Sequence, residues 1–395
     1  MDFSLSSDQI LIRDTVRQFM ETEMRPILRA YDRDEKFPAE ELRRLGELGC
    51  CGMLVPEEWG GSGNDTISYA MMLEEVARVD ASTAVTLSVT NSLGSVAILK
   101  YGSEAQKQKY LRKLSHGEIL GAFCLTEPQA GSDAAGLQTR AVRDADFYVL
   151  NGTKSWVTNG GVSGVYLVLA KTDPEAGARG VTAFLVEPEF SGFRISRYED
   201  KMGLRLSRSA EIVFEDCRVP AENRLGAEGQ GLKIALESLD GGRVGIAAQA
   251  VGIAQGALDA AARYAKQRRT FGHPIAEYQA IQWMLADMQT EIEAARALTY
   301  YAAFVRDKEL AAGASADSGS RRLGPHASRA KLYASEMANR VAYKAVQVHG
   351  SAGYSRESDV ERYYRDARVL TIYEGTSEMQ RTVIARDLLR GAGGR

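Results

Sequence analysis

Apolar residues recur at helical spacing through the first third of the chain. They gather in short blocks through the middle third, then return to helical spacing. Near the start, Ile10, Ile12, Val16 and Phe19 follow Ser6 and Gln9, which have the spacing of a capping box and predict a helix start. Pro38 is placed to open a helix over AEELRRLGELG, and Gly49 to close it. Ile67, Ala70, Met71, Leu73 and Val76 predict a helix over Thr66 to Val79. The stretch from Ala81 to Tyr101 is also helical in pattern but rich in Ala, Ser, Thr and Gly. Such small residues allow close helix packing or leave room beside a ligand.

The pattern changes near Gly121. FYVLNGTKSWV, from Phe147 to Val157, sets two β-prone runs around Asn151-Gly152 and predicts a hairpin. Further strands are expected at Val165 to Ala170, Val181 to Val186, Phe193 to Ser196 and Ala210 to Phe214. Beyond Gly229, Ala-rich helical segments cover 231–268, 275–308, 326–349 and 377–391. Residues 311–325, AAGASADSGSRRLGP, read as a mobile interhelical loop. The fold expected is mainly α with a central β domain. An N-terminal helical domain would span 1–118, the β domain 119–228 and a C-terminal helical bundle 229–395. The strands and helices do not alternate, and no GxGxxG joins a strand to a helix, so a Rossmann sheet is not indicated.

Composition narrows the function classes. A chain of 395 residues exceeds one ordinary core, and 45% apolar with 26% charged residues suits a globular protein. A formal charge of −3, without basic clustering, gives no sign of a nucleic-acid groove or a polybasic membrane patch. Cys50, Cys51, Cys124 and Cys217 form no CxxC pair and read as reduced thiols. The four histidines show no metal-ligand spacing. No signal peptide is visible and no apolar run reads as long enough to span a bilayer. The expectation is therefore a soluble intracellular protein without membrane insertion. It would be cytoplasmic if bacterial, or in the mitochondrial matrix if a transit peptide has been removed.

Four segments carry candidate chemistry, each with a plainer reading beside it. CLTEPQAGSDAAG, Cys124 to Gly136, is a turn whose glycines would let backbone amides approach a ligand, and whose Thr126 and Ser132 offer hydroxyls. Taken alone, it reads more readily as an ordinary loop. Glu374, in YEGTSE after the apolar Val369, Leu370 and Ile372, is a carboxylate that desolvation would make a better base. Its plain reading is a solvated cap. Arg268-Arg269-Thr270-Phe271-Gly272 suits a pyrophosphate and a flat base, or simply a basic helix end. QVHGSAGY, Gln347 to Tyr354, is a Gly-rich break that a plain C-cap would also explain.

Taken together and in order, these segments and WVTNG (Trp156 to Gly160) resemble the acyl-CoA dehydrogenase family over essentially the whole chain. The resemblance implies a helical domain, a β-barrel domain and a C-terminal four-helix bundle, with FAD at their junction and near a subunit contact. It implies that Phe123, Leu125, Thr126, Ser132, Trp156 and Thr158 line the flavin. Arg268 and Gln279 match positions that hold the pyrophosphate and adenosine end, often from a neighbouring subunit. Gln347, Gly350 and Ser351 match a second dinucleotide-binding stretch, and Thr376 and Glu378 a third. Ser132, Asp240, Arg243 and Gly375 match positions that touch the acyl-CoA. Many members carry Gly-Gly where this chain has Gly350-Ser351, which leaves a hydroxymethyl group to accommodate.

By the same resemblance Glu374 removes the substrate α-proton and flavin N5 takes the β-hydride, giving a trans-2-enoyl thioester. Some members place the base before the arginine of the segment that reads LESLDGGRVGIA here. That position is Gly242, so Glu374 is the base this resemblance assigns. Val89 and Thr90 stand where the acyl pocket would close, in a stretch resembling short-chain, butyryl-type members. The expected partners are an acyl-CoA, an electron-transferring flavoprotein as acceptor and further copies of the chain in a homotetramer. An acyl-CoA oxidase or a carrier-protein-linked dehydrogenase shares the same motifs. A flavin-free helical interaction protein is the remote alternative.

Overall fold

The computed structural model describes residues 4–312 and 323–391. Seven α-helices precede the first strand: α1 (Ser7–Phe19), α2 (Arg25–Asp34), α3 (Ala39–Glu47), α4 (Thr66–Ala77), α5 (Ala81–Ser88), α6 (Val96–Tyr101) and α7 (Glu104–Ser115). The Ser6–Gln9 capping box forms as expected, satisfying amides that the first turn would otherwise leave unpaired. Pro38 is the N-cap of α3 and not its first residue, one position earlier than anticipated. Gly49 closes that helix on left-handed backbone, φ 82°.

Helices α5 and α6 are two parts of one rod, joined by a π-helical turn over Val89–Ser95. The side chains of Thr90, Asn91 and Ser92 each donate to a carbonyl four residues back, at 2.7–3.0 Å. Such back-bonding competes with the helical amides and accompanies the widened turn.

Eight strands form one mixed sheet: β1 (Gly121–Cys124), β2 (Arg140–Asp144), β3 (Phe147–Thr158), β4 (Val165–Lys171), β5 (Val181–Val186), β6 (Phe193–Tyr198), β7 (Ser209–Pro220) and β8 (Arg224–Leu225). Their order is β6-β7-β3-β2-β4-β5-β8, with β1 added parallel to β4. The predicted hairpin at Asn151-Gly152 is not there: β3 runs straight through it. The Asn151 side chain instead exchanges two hydrogen bonds with Asp216 of β7, at 2.8 and 3.0 Å. Gly152 lies against Thr139, where no Cβ would fit, and a register shift marks the spot. The real turn is Ala145-Asp146, between β2 and β3, with Ala145 at φ 51°.

The chain then returns to helix: α8 (Gly231–Gln267), α9 (Gln279–Ala311), α10 (Leu323–His349), α11 (Asp359–Ala367) and α12 (Ser377–Gly391). A two-residue ribbon, β9 (Arg269–Thr270) with β10 (His273–Pro274), links α8 to α9. The expected interhelical loop at 311–325 falls mostly outside the described residues, and its last three residues already belong to α10. Helix α8 is packed by α4, α5, α9, α10 and α11.

The expectation that no run was long enough to cross a membrane is corrected by two helical stretches, Ala81–Tyr101 and Gly231–Gln267, which qualify by length and composition. Both are 89% buried in their apolar window, so the protein interior already surrounds them. Their hydropathy is that of core helices.

Candidate active site

Glu374 sits between the short helix after α11 and the start of α12. Its backbone is left-handed, φ 48°, and Gly375 follows at φ 92°. Left-handed backbone is costly for a residue with a Cβ, so surrounding contacts must hold it. Two do so: Lys331 Nζ donates to the Gly375 carbonyl at 2.7 Å, and Gln380 Nε2 donates to the same oxygen at 2.9 Å. Tyr373 is fixed by a hydrogen bond to Gln249, whose amide in turn donates to Ala81 O at 2.7 Å.

The consequence is a carboxylate turned inward. Both Glu374 carboxylate oxygens are shielded from solvent and neither has a hydrogen-bond partner among the described residues. Burial pushes its pKa up to about 7, against the pull of Lys331 and Arg243. Arg243 is itself half-committed, its Nη1 donating to Asp240 Oδ1 at 2.6 Å. Gly242 completes the wall: a Cβ there would overlap a Glu374 oxygen, and Leu93 of the π-helical turn lies 3.4 Å away from it.

Asp240, Arg243, Gly375 and Glu374 therefore share one site, with Thr376 at the entrance to α12. Thr376 accepts from Met379 N at 3.3 Å, and the neighbouring Glu378 is exposed. Val89 and Thr90 are buried on the adjacent turn. The Thr90 hydroxyl is already used, donating to Thr86 O at 3.0 Å and accepting from Gly121 N at 3.4 Å. Leu93, not singled out from sequence, faces the same Gly242 backbone that Glu374 faces.

A second group gathers on the β domain. Phe123, Leu125 and Thr126 lie on and just beyond β1; Trp156 and Thr158 lie on β3, joined through Ser155 N to Thr126 O at 2.9 Å. Trp156 stands at a register shift on left-handed backbone, φ 59°, and is 60% exposed. Phe123, Thr126 and Thr158 are half-buried, and Ser132 is exposed on the loop. A broad ring, hydroxyls and a glycine with open space around it (Gly131) suit a flat heteroaromatic group such as a flavin.

The loop carrying this group is held by residues the sequence did not reveal. Glu127 accepts from Gln138 N, Thr139 N and the Thr139 hydroxyl at 2.5–3.0 Å, and from the fully buried Lys154 Nζ at 2.7 Å. Burial alone would raise the Glu127 carboxyl, but Lys154 and these donors hold it down at about 2. Asn159 is likewise buried, and its amide donates to Gly121 O at 3.0 Å and Thr86 O at 3.2 Å, tying the β domain to α5.

The third group is elsewhere. Arg268 caps the C-terminus of α8, Gln279 opens α9, and Gln347, Gly350 and Ser351 close α10. Tyr264 stacks on His349 at 4.3 Å, which places these termini at one end of the bundle. Gly350 has the left-handed φ, 59°, while Ser351 is exposed with room for its hydroxymethyl group. Phe271 tips the ribbon and is 92% exposed. From Gly242 to Arg268 is 26 residues of helix, about 39 Å at ~1.5 Å per residue. Within one chain, that length of α8 sets the bundle end well apart from the base.

Three family descriptions match the chain in order: acyl-CoA dehydrogenase N-terminal domain at residues 6–118, middle domain at 122–217 and C-terminal domain at 229–389. The chain is 45% identical over 390 residues to a short-chain specific acyl-CoA dehydrogenase of Clostridium acetobutylicum, covering 99% of this chain and 100% of that one. The solved structure of butyryl-CoA dehydrogenase from Megasphaera elsdenii is 45% identical, with a TM-score of 0.93 over 98% of this chain and 100% of the other. A chain from a structure described as the electron transferring flavoprotein of Acidaminococcus fermentans is 46% identical, with a TM-score of 0.95 over 99% and 100%.

Proposed function

This chain belongs to the acyl-CoA dehydrogenase family, and on that premise we propose that it converts a short-chain acyl-CoA to the trans-2-enoyl-CoA with FAD as cofactor and Glu374 as base. The observation that carries this reading is the inward-turned, unpartnered Glu374 carboxylate beside Gly242. A base without hydrogen bonds to its oxygens is free to take a proton, and its raised pKa matches it to a weak carbon acid.

Phe123, Leu125, Thr126, Ser132, Trp156 and Thr158 would hold the flavin ring, with Thr376 and Glu378 beside it. FAD, when bound, supplies the acceptor for the β-hydride. Arg268, Gln279, Gln347, Gly350 and Ser351 would grip the dinucleotide of a second copy, because α8 sets them well apart from their own base. That requires at least a dimer, and a tetramer of two such dimers is the assembly proposed. Glu374 would take the α-proton. Its own backbone amide would donate to the thioester oxygen as negative charge develops there. Arg243 and Asp240 would meet the acyl-CoA from α8, and Val89, Thr90 and Leu93 would limit the acyl chain. An electron-transferring flavoprotein is the proposed electron acceptor.

The test is anaerobic mixing of the purified yellow protein with C4, C8 and C16 acyl-CoAs while following flavin bleaching. The C4 substrate should bleach fastest per unit concentration. Preference for C8 or C16 would overturn the short-chain reading, and no bleaching by any acyl-CoA would overturn the activity. Rapid reoxidation by oxygen, in place of an electron-transferring flavoprotein, would indicate an oxidase.

A further inference from the structure

The peptide that follows Glu374 is gripped from two sides. Lys331, fully buried on α10, and Gln380, fully buried on α12, both donate to the Gly375 carbonyl, and Gln380 also reaches Glu374 O at 3.3 Å. Gly375 itself is left-handed, φ 92°, so any other residue there would strain the turn.

An ammonium is an expensive way to hold a neutral carbonyl in the interior. Burial lowers the Lys331 pKa to about 8, and the face of α10 around it is otherwise Ala and Ser. What a lysine offers there is charge beside the base. Among the described residues, the other charged or titratable groups around Glu374 are Arg243 with Asp240 from α8, Tyr69 from α4, Tyr373 next to it and Glu378 from α12. Arg306 from α9 and Glu336 from α10 act one layer out. Arg243 already faces Asp240 at 2.6 Å, whereas Lys331 spends its hydrogen bond on an uncharged oxygen.

We propose that Lys331 is a positioning residue for the Glu374 base: with Gln380 it clamps the Gly375 carbonyl, and its ammonium is the buried countercharge that keeps the carboxylate ionised for proton removal. This rests on the reading of Glu374 as the base. The clamp fixes the left-handed turn and so the aim of the carboxylate. The charge fixes its protonation state. The two duties are separable, since Gln380 shares the first and not the second.

The test compares Lys331→Met, Lys331→Arg and Gln380→Leu with wild type, with Glu374→Gln run alongside. Two quantities are read: the limiting rate of flavin bleaching by butyryl-CoA against pH, and the carboxyl titration of flavin-free protein by difference infrared spectroscopy against Glu374→Gln. Lys331→Met should lower the rate at neutral pH by about 10-fold or more. It should also move both the acidic limb and the infrared midpoint up by about one unit. Gln380→Leu should slow bleaching with both midpoints in place, and Lys331→Arg should keep them near wild type. Should Lys331→Met fail to fold, Lys331→Gln, which can keep the bond but not the charge, carries the same expectation. Unmoved midpoints in the uncharged variant would overturn the proposal and leave Lys331 a packing residue. Wild-type bleaching by Glu374→Gln would instead overturn the base assignment beneath it.

Discussion

Gly242 and Glu374 reach the same point from opposite elements, since a Cβ on one would overlap the carboxylate of the other. Glu374→Gln should keep the flavin but lose bleaching by about 10²–10⁴-fold, the usual loss for a general base. Moving the base should then be possible. In Glu374→Gly, adding Gly242→Glu should recover part of the rate, measured by the same bleaching assay. No recovery in a folded, yellow double variant would mean the two positions do not address one α-carbon. The raised pKa also predicts a stability effect independent of activity. Below about pH 4.5, the ordinary value, Glu374 is protonated in folded and unfolded chains alike, and nothing is lost. As pH rises towards about 7, only the unfolded chain releases its proton, so the folded state is progressively penalised. The shift of 7 − 4.5 = 2.5 units corresponds to about 3 kcal/mol, fully present above pH 7. Glu374→Gln should therefore melt higher than wild type at pH 8 and converge with it at pH 4, by thermal denaturation at both.

At the scale of elements, the loop that would cradle the flavin depends on an ion pair the motif conceals. Glu127 sits within CLTEPQAGSDAAG, and Lys154 is in FYVLNGTKSWV, which reads as a hairpin with no sign of a buried charge. Both side chains are almost wholly buried. Removing one partner leaves the other charge stranded, so Lys154→Met should destabilise the protein by about 3–5 kcal/mol in urea unfolding, while Lys154→Met with Glu127→Gln should cost less. A single variant as stable as wild type would show that the pair is dispensable. Strand β3 also shows where local pattern misleads. Asn-Gly favours a turn when nothing else competes, but here Asn151 pairs with Asp216 and Gly152 lets Thr139 approach. The turn falls at Ala145-Asp146 instead, and β2 was not anticipated because its exposed Arg and Asp residues carry little apolar signal.

At the scale of the molecule, the separation of about 39 Å along α8 between Gly242 and Arg268 makes a prediction about assembly. If Arg268 serves the flavin of a second copy, Arg268→Ala and Glu374→Gln should complement each other. A hybrid of the two variants would contain one site with both defects and one with neither. Co-expressed and purified as mixed oligomers through two different tags, they should bleach with butyryl-CoA well above either parent alone. If the hybrid is as slow as its parents, Arg268 acts within its own chain or not at all.

Periodicity, caps and turn residues determined most of the elements, because each depends on residues only a few positions apart. The helices opening at Ser7, Ala39, Thr66 and Ala81, the strand Val181–Val186 and the helix Ser377–Gly391 were legible in this way, whereas α2 and α7 were not singled out. The motif carrying Glu374 was legible too, since its residue types and order recur together. Its chemistry was not. A carboxylate in YEGT is a solvated cap or a buried base according to what surrounds it. Lys331, 43 residues earlier, and Gly242, 132 residues earlier, supply the charge and the space. Lys331, Gln380, Glu127 and Asn159 escaped sequence reading because a buried polar residue looks like an exposed one until its partners arrive from distant segments. Desolvation and charge proximity are properties of packing, and packing is what the order of residues alone does not display.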